Sequence, residues 1–277
     1  MFRETFALTL RALRKWVRNP ASIVPGLFTA MFYLILFGSS FNPTNLIPSG
    51  AGGQSLPGLQ AVFGGAPTYI TYLTPGVICI ILVFNMAFGG IDLVLDRQLG
   101  YLNSLLTAPV PRVAIFISGV AQNLVKVLVL GILTFTVALI IPNGLKLTSS
   151  FNVFDFVGIF GAFIFLGLGL SFIFTALALS VRSIDSLVAI VNFLTLPVMF
   201  MSNAFFPPSS FPVWLRTIAN LNPVTKANEA ARLLLINSSL TSTQVTTYTS
   251  DMVYLVGFAT LLGVLGYLAA RRALRPE

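Results

Sequence analysis

Few side chains in this sequence could do acid–base, nucleophilic or metal chemistry. The 277 residues include no histidine, which excludes histidine acid–base catalysis, Ser-His-Asp triads and histidine metal ligands. The single cysteine, Cys79, can form no disulfide within the chain. Asp92 and Asp96 form a carboxylate pair that an enzyme could use, and Lys126 is the one charge well inside a long apolar run.

The composition indicates what surrounds these residues. Hydrophobic residues make up 56% and charged residues only 9% of the sequence, against roughly 25% charged residues in soluble domains. The formal net charge is +8, but most cations flank apolar runs, which is typical of membrane topology signals and not of a nucleic-acid-binding face. The sequence therefore predicts a cell-membrane protein that contacts lipid and binds no nucleic acid.

Six apolar runs approach or exceed the roughly 20 residues that a spanning helix needs. They predict an all-α integral membrane fold, a single transmembrane domain over residues 1–277 with spans at 21–41, 69–91, 113–141, 154–181, 186–206 and 252–270. Residues 1–20 place apolar and cationic residues on opposite sides of a helix, which favours an interfacial amphipathic helix over the basic start of a signal peptide.

The positions of lysine and arginine predict the orientation. Eleven lie at the two termini, in the loop 92–112 or at Arg182, and four lie in the other connectors. This bias places both termini in the cytoplasm. Lys126 is left over in the third run, where a buried ammonium usually faces a partner or a water-filled route. The alternatives are that it reaches an interface or that this span starts later.

Two connectors contain apolar residues at helical spacing. In the loop 92–112, Leu99, Leu102 and Leu106 form a stripe that Pro109 and Pro111 terminate. This short helix either lies on the membrane or fits a groove on a cytoplasmic partner. The outer segment 207–251 has a similar pattern, which predicts two short helices that re-enter the outer leaflet with their backbone buried in protein.

Both connectors resemble those of type-2 ABC transporter permeases, and the likeness to the daunorubicin-resistance type and to polysaccharide exporters covers essentially the whole chain. The matching residues of the loop are Asp96, Arg97, Gly100, Leu102, Leu105, Leu106, Pro109 and Arg112, with Gln98 in place of the usual glutamate. The matching residues of the outer segment are Phe211, Pro212, Trp214, Leu215, Asn222, Pro223 and Arg232.

The resemblance implies a permease that exports a drug, a lipid or a lipid-linked glycan. It implies a second permease copy, usually identical, and two ABC ATPase subunits that hold ATP and Mg. The loop 92–112 would be the coupling helix, and the chain itself would carry no cofactor and no metal. Consistent with this division, the sequence has no glycine-rich phosphate loop.

Two other classes remain open from the residues alone. A self-contained channel or secondary transporter would use ionisable groups near the middle of the membrane, where only Lys126 qualifies. A membrane-embedded enzyme would have to use Asp92 and Asp96, which the predicted topology puts at the cytoplasmic edge.

Replacement of Leu102 or Leu106 with aspartate should detach or uncouple the ATPase without preventing membrane insertion. A central apolar anchor can contribute more than about 2 kcal/mol, so assembly should weaken at least about tenfold. Asn103 lies off the stripe, and Asn103→Asp is the matched control. Pull-down of the ATPase at equal expression measures the effect. Unchanged assembly of both leucine variants would mean that this helix only rests on the membrane.

Overall fold

A computed structural model describes residues 2–19, 23–40, 63, 65–100, 111–141, 144–148, 150–237 and 240–273. In this part of the chain the secondary structure is helical. The α-helices are α1 (Phe2–Val17), α2 (Val24–Ser40), α3 (Tyr69–Phe88), α4 (Ile91–Gln98), α5 (Arg112–Ile140), α6 (Val153–Ser180), α7 (Ile184–Phe200), α8 (Val213–Leu221), α9 (Pro223–Ile236) and α10 (Ser242–Ala273).

Among the described residues, four segments are long and apolar enough to cross a membrane, namely Tyr69–Gln98, Val113–Ile140, Val153–Ser180 and Ser242–Arg272. Two further apolar helices, Val24–Gly38 and Ile184–Phe200, are shorter. The predicted all-α membrane protein is therefore confirmed, whereas helix length and composition support four of the six predicted spans. The other two predicted runs, 21–41 and 186–206, overlap α2 and α7, each of 17 residues.

Two helix boundaries differ from the predicted runs. In the fifth predicted run, 186–206, the helix ends at Phe200, and residues 201–206 form bends and turns. The last helix starts at Ser242, ten residues before the predicted run 252–270. Its first turns are rich in threonine, and Thr246, Thr247 and Thr249 each return a side-chain hydrogen bond to the carbonyl four residues earlier. Hydropathy alone does not register these bonds.

The first helix is amphipathic, as predicted. Glu4 lies in its first turn, while Arg14 and Lys15 lie in its last turn, which matches the sign of the helix dipole at each end. Trp16 is buried, whereas Phe6 is exposed. The helix packs against α5.

Helix α3 forms the centre of the bundle. Most of its residues are buried, and it packs against α2, α5, α6, α7 and α9. A turn at Gly89 and Gly90 separates it from α4. A side chain at Gly89 would collide with the buried Asn123 amide, and one at Gly90 would come 2.5 Å from the Ala178 methyl group. Glycine therefore lets the α3–α4 junction pack closely against α5 and α6.

Candidate functional site

Helix α4 leads directly into the loop that resembles a coupling helix. Arg97 Nη1 donates a hydrogen bond of 3.0 Å to the carbonyl of Val181. Gln98 Nε2, in the position usually held by glutamate in the resembling family, donates one of 3.4 Å to the carbonyl of Arg182. The carboxyl end of α4 is therefore bonded to the connection between α6 and α7.

The two aspartates of α4 pair with cations on other helices. Asp92 Oδ1 lies 2.9 Å from Lys15 Nζ on α1, and Asp92 Oδ2 lies 3.3 Å from Lys126 Nζ on α5. Asp96 Oδ2 lies 3.9 Å from Arg11 Nη1, also on α1. These contacts join α4 to α1 and α5. The carboxylates considered for an enzyme are thus engaged in ion pairs between helices.

The environment of Lys126 explains how a charge stands inside a long apolar helix. Its side chain is 10% exposed and its partner Asp92 is 40% exposed. Asp92 lies just beyond the turn that ends α3, so Lys126 is level with that turn and with Lys15 of α1. Burial of an ammonium is tolerated when a carboxylate is within contact distance. The ion pair with Asp92 gives Lys126 a charged partner at this depth.

The remaining residues of the loop motif are placed only in part. Gly100 has φ of 76°, a left-handed conformation that favours glycine and stops the chain from continuing as a helix. Leu102, Leu105, Leu106 and Pro109 lie outside the described residues. Arg112 is the first residue of α5, and only its backbone is described.

Arg232 is the centre of the outer motif. Its guanidinium is buried and donates to three backbone carbonyls, those of Tyr72 at 3.0 Å, Asn203 at 3.0 Å and Ala204 at 3.1 Å. It also lies 3.6 Å from the centre of the Tyr72 ring, within the range of a cation–π interaction. Residues 201–206 are not helical, so their carbonyls need partners from elsewhere in the protein. Arg232 supplies two of these partners.

Asn222 and Pro223 complete this arrangement. The Asn222 amide nitrogen donates to the carbonyl of Val198 at 2.6 Å and to that of Met201 at 3.2 Å. The Asn222 amide oxygen accepts from the backbone N–H of Val224 and caps α9. Pro223 occupies the first helical position, where its missing N–H costs nothing. The Asn222 side chain thus bonds carbonyls at the end of α7 and caps the start of α9.

The first half of the outer motif lies apart from Arg232. Pro212 immediately precedes α8, whose residue Trp214 is 63% exposed. Phe211 and Leu215 are half-buried. The two short helices predicted for this segment are present as α8 and α9, but α8 presents an apolar face away from the bundle while α9 is largely buried.

A third polar cluster was not predicted from the sequence. Lys226 Nζ lies 3.0 Å from Asp251 Oδ1 on α10 and 3.5 Å from Glu229 Oε2, while Asn203 donates to Glu229 at 3.4 Å. Burial raises the pKa of the Glu229 carboxyl, and the Lys226 ammonium opposes this rise. The Asp251 side chain is only 2% exposed. The sequence signal that could have indicated this cluster is the position of Asp251 directly before the last apolar run.

Known proteins are similar to this chain over both the α4 region and the outer segment. The family model for the ABC-2 type transporter matches residues 3–236, a range that contains α4, Asn222 and Arg232. The chain is 30% identical over 237 residues to a proposed transport permease, ycf38, of Pyropia yezoensis, covering 84% of this chain and 74% of that protein. The ycf38 proteins of Porphyra purpurea and Cyanophora paradoxa are 26% and 28% identical over 247 and 242 residues, covering 88% and 86% of this chain and 78% and 76% of their own lengths.

Replacement of Arg232 with leucine should destabilise the protein strongly. A buried carbonyl that loses its donor costs about 1–3 kcal/mol, so three carbonyls correspond to a fall of at least about 6 °C in the thermal midpoint. Arg216 also donates to backbone carbonyls but is exposed, and Arg216→Leu is the matched control, expected to shift the midpoint by less than about 2 °C. Thermal unfolding in detergent measures both. Equal shifts would contradict the anchoring by Arg232.

Proposed function

Because this chain belongs to the ABC-2 type transporter family, we propose that it is the membrane-spanning permease of an exporter powered by a separate ABC ATPase. It moves a hydrophobic or amphipathic substrate, a drug, a lipid or a lipid-linked glycan, out of the cytoplasm or the inner leaflet. The observation that carries the proposal is the position of α4, which forms the first part of the loop 92–112 and is bonded to three other parts of the bundle.

Through these bonds, a displacement of α4 moves the helices to which it is bonded. The ATPase, which binds ATP and Mg, displaces the loop 92–112 when its nucleotide state changes. Because Arg97 is bonded to the connection between α6 and α7, the displacement reaches both of those helices. Because Asp92 and Asp96 pair with Lys15 and Arg11, α1 moves with α4. Movement of the loop therefore changes how the inner ends of several helices pack.

The functional unit contains two permease copies, in the simplest case identical, and two ATPase subunits. Helices α2 and α7 have exposed apolar side chains such as Phe28, Phe32, Phe193 and Phe200. A surface of this kind is suited to lipid or to a second copy of the chain. An exporter assembled in this way encloses its substrate path between the two copies.

The chain crosses the membrane six times in this proposal. Helices α2 and α7 have 17 residues each, about 25 Å at 1.5 Å per residue, which is close to the hydrocarbon thickness of about 30 Å. The bend after α7 adds to the length of that helix. With six crossings and the cation bias, both termini lie in the cytoplasm of the cell.

Cysteine labelling tests this topology. Cys79 is the single cysteine and is buried, so single-cysteine variants can be made in a Cys79→Ser background. A membrane-impermeant maleimide should label Ser242→Cys on intact cells, because Ser242 is exposed at the start of α10. The matched variant Ser186→Cys, near the start of α7, should react only after permeabilisation. The opposite result for either site would contradict six spans with cytoplasmic termini.

Nucleotide binding tests the division of labour. The purified chain should show no saturable binding of labelled ATP at micromolar concentration, since its sequence lacks a phosphate loop. Co-expression with its ABC ATPase partner should yield a complex that hydrolyses ATP. A catalytically inactive ATPase variant is the control for contaminating activity. Saturable binding to the chain alone, or an ion-gradient-driven transport that needs no ATP, would refute the proposal.

A further inference from the structure

A cavity of about 550 Å³ lies among the end of α1, helices α2 and α3, and Lys126 of α5. One end is polar and is formed by Lys15, Asp92 and Lys126. The rest is lined mostly by aromatic and aliphatic side chains, Trp16, Tyr33, Ile80, Ile81, Phe84 and Phe88. An elongated site with one charged end has the chemistry of an amphipathic ligand.

The charged end carries one cation in excess. Lys15 and Lys126 share a single carboxylate, with one oxygen of Asp92 assigned to each ammonium. Among the described residues that line the cavity, Asp92 is the sole acidic one. The neighbouring Asp96 lies outside this lining and is close to Arg11. The polar end therefore holds two ammonium groups and one carboxylate, which favours a bound anion.

The donors at this end also exceed the acceptors. Each ammonium has three N–H donors, and Asp92 accepts one hydrogen bond from each. Asn19 and Asn85 add amide groups to the same wall. A phosphate group offers several strong acceptor oxygens, and a phosphate between two ammoniums forms charge-assisted hydrogen bonds. A neutral ligand would leave the excess charge uncompensated.

The apolar walls indicate what is attached to that anion. Ile80 and Gly89 both line the cavity and are nine residues apart along α3, about 13 Å at 1.5 Å per residue. Phe84 and Phe88 lie between them and stack with ring centres 6.2 Å apart. A free phosphate ion would use only the polar end. A lipid would use both, because its acyl chain contacts the aromatic wall while its phosphate contacts the lysines.

We propose that this cavity binds an anionic phospholipid, with the phosphate between Lys15 and Lys126 and an acyl chain along Phe84 and Ile80. The position fits a membrane-surface ligand, since the cavity lies where the amphipathic α1 meets the bundle. The site is a property of the single chain and does not depend on ATP or on cargo. It gives α1 and α5 a common ligand in addition to the ion pairs that both helices make with Asp92.

The chain supplies its own reporter for this site. Trp16 lines the cavity, and the other of the two tryptophans, Trp214, is exposed on α8. In a Trp214→Phe background, Trp16 fluorescence is measured in nanodiscs of phosphatidylcholine containing increasing fractions of a brominated lipid. Brominated phosphatidylglycerol should quench at about a fivefold lower mole fraction than brominated phosphatidylcholine, since one excess cation is worth about 1 kcal/mol at the membrane surface.

Variants that remove a positive or a negative charge at the polar end should change the preference for phosphatidylglycerol in opposite directions. Lys126→Gln should abolish most of the preference for phosphatidylglycerol, and Lys126→Arg should retain it. Asp92→Asn should increase it, because the isosteric change leaves two uncompensated cations. Lys146, an exposed lysine outside the cavity, is the matched control, and Lys146→Gln should change nothing. Thermal unfolding verifies that each variant is folded.

Three results would overturn the proposal. Equal quenching by both brominated lipids would show that the site does not select a charged headgroup. A preference that survives Lys126→Gln and does not rise with Asp92→Asn would place the selectivity elsewhere. Loss of the lipid preference on addition of millimolar inorganic phosphate, at constant ionic strength, would identify a free-anion site in place of a lipid site.

Discussion

The hydrocarbon interior of a bilayer offers no water to hydrogen-bond, so every break in a helix needs partners from within the protein. The bend after α7 meets this requirement on both sides of the backbone. The N–H groups of Asn203 and Ala204 donate to the hydroxyls of Thr225 and Ser202. The carbonyls of Asn203 and Ala204 accept from Arg232. Gly76 permits this arrangement, because any side chain there would collide with the Ala204 carbonyl.

The same helix that contacts this bend leads to the other polar end of the bundle. Arg232 bonds the carbonyl of Tyr72 in α3, and α3 continues through Gly89 and Gly90 into α4. There Asp92 holds Lys15 and Lys126 together, and Arg97 reaches the carbonyl of Val181. The α3–α4 segment is therefore fixed to charged or polar partners at both ends and packed by apolar contacts between them.

Much of this organisation could be predicted from the sequence, because hydropathy and charge position reflect the bilayer directly. The amphipathic α1, the long apolar helices and the paired helices α8 and α9 follow from residue periodicity. The partner of Lys126 could not be predicted, since Asp92 is 34 residues away and periodicity carries no information on which helices touch. The break after Phe200 was missed for a related reason. Residues 201–206 are apolar enough to extend a span. The bend is stable there because Asn222, Thr225 and Arg232 form hydrogen bonds with its backbone groups, and these tertiary bonds are not visible in the sequence.

The bend after α7, buried at Ser202, Asn203 and Ala204, is bonded to Asn222, Thr225 and Arg232 and so fixes α9 against the end of α7, and amide hydrogen–deuterium exchange measures its burial directly. In the purified chain in nanodiscs, the amides of Ser202, Asn203 and Ala204 should exchange at least about a hundredfold more slowly than those of the exposed Ser209 and Ser210. Exchange of both segments at the same rate would show that the bend is open to water, and that Arg232 does not hold it inside the protein.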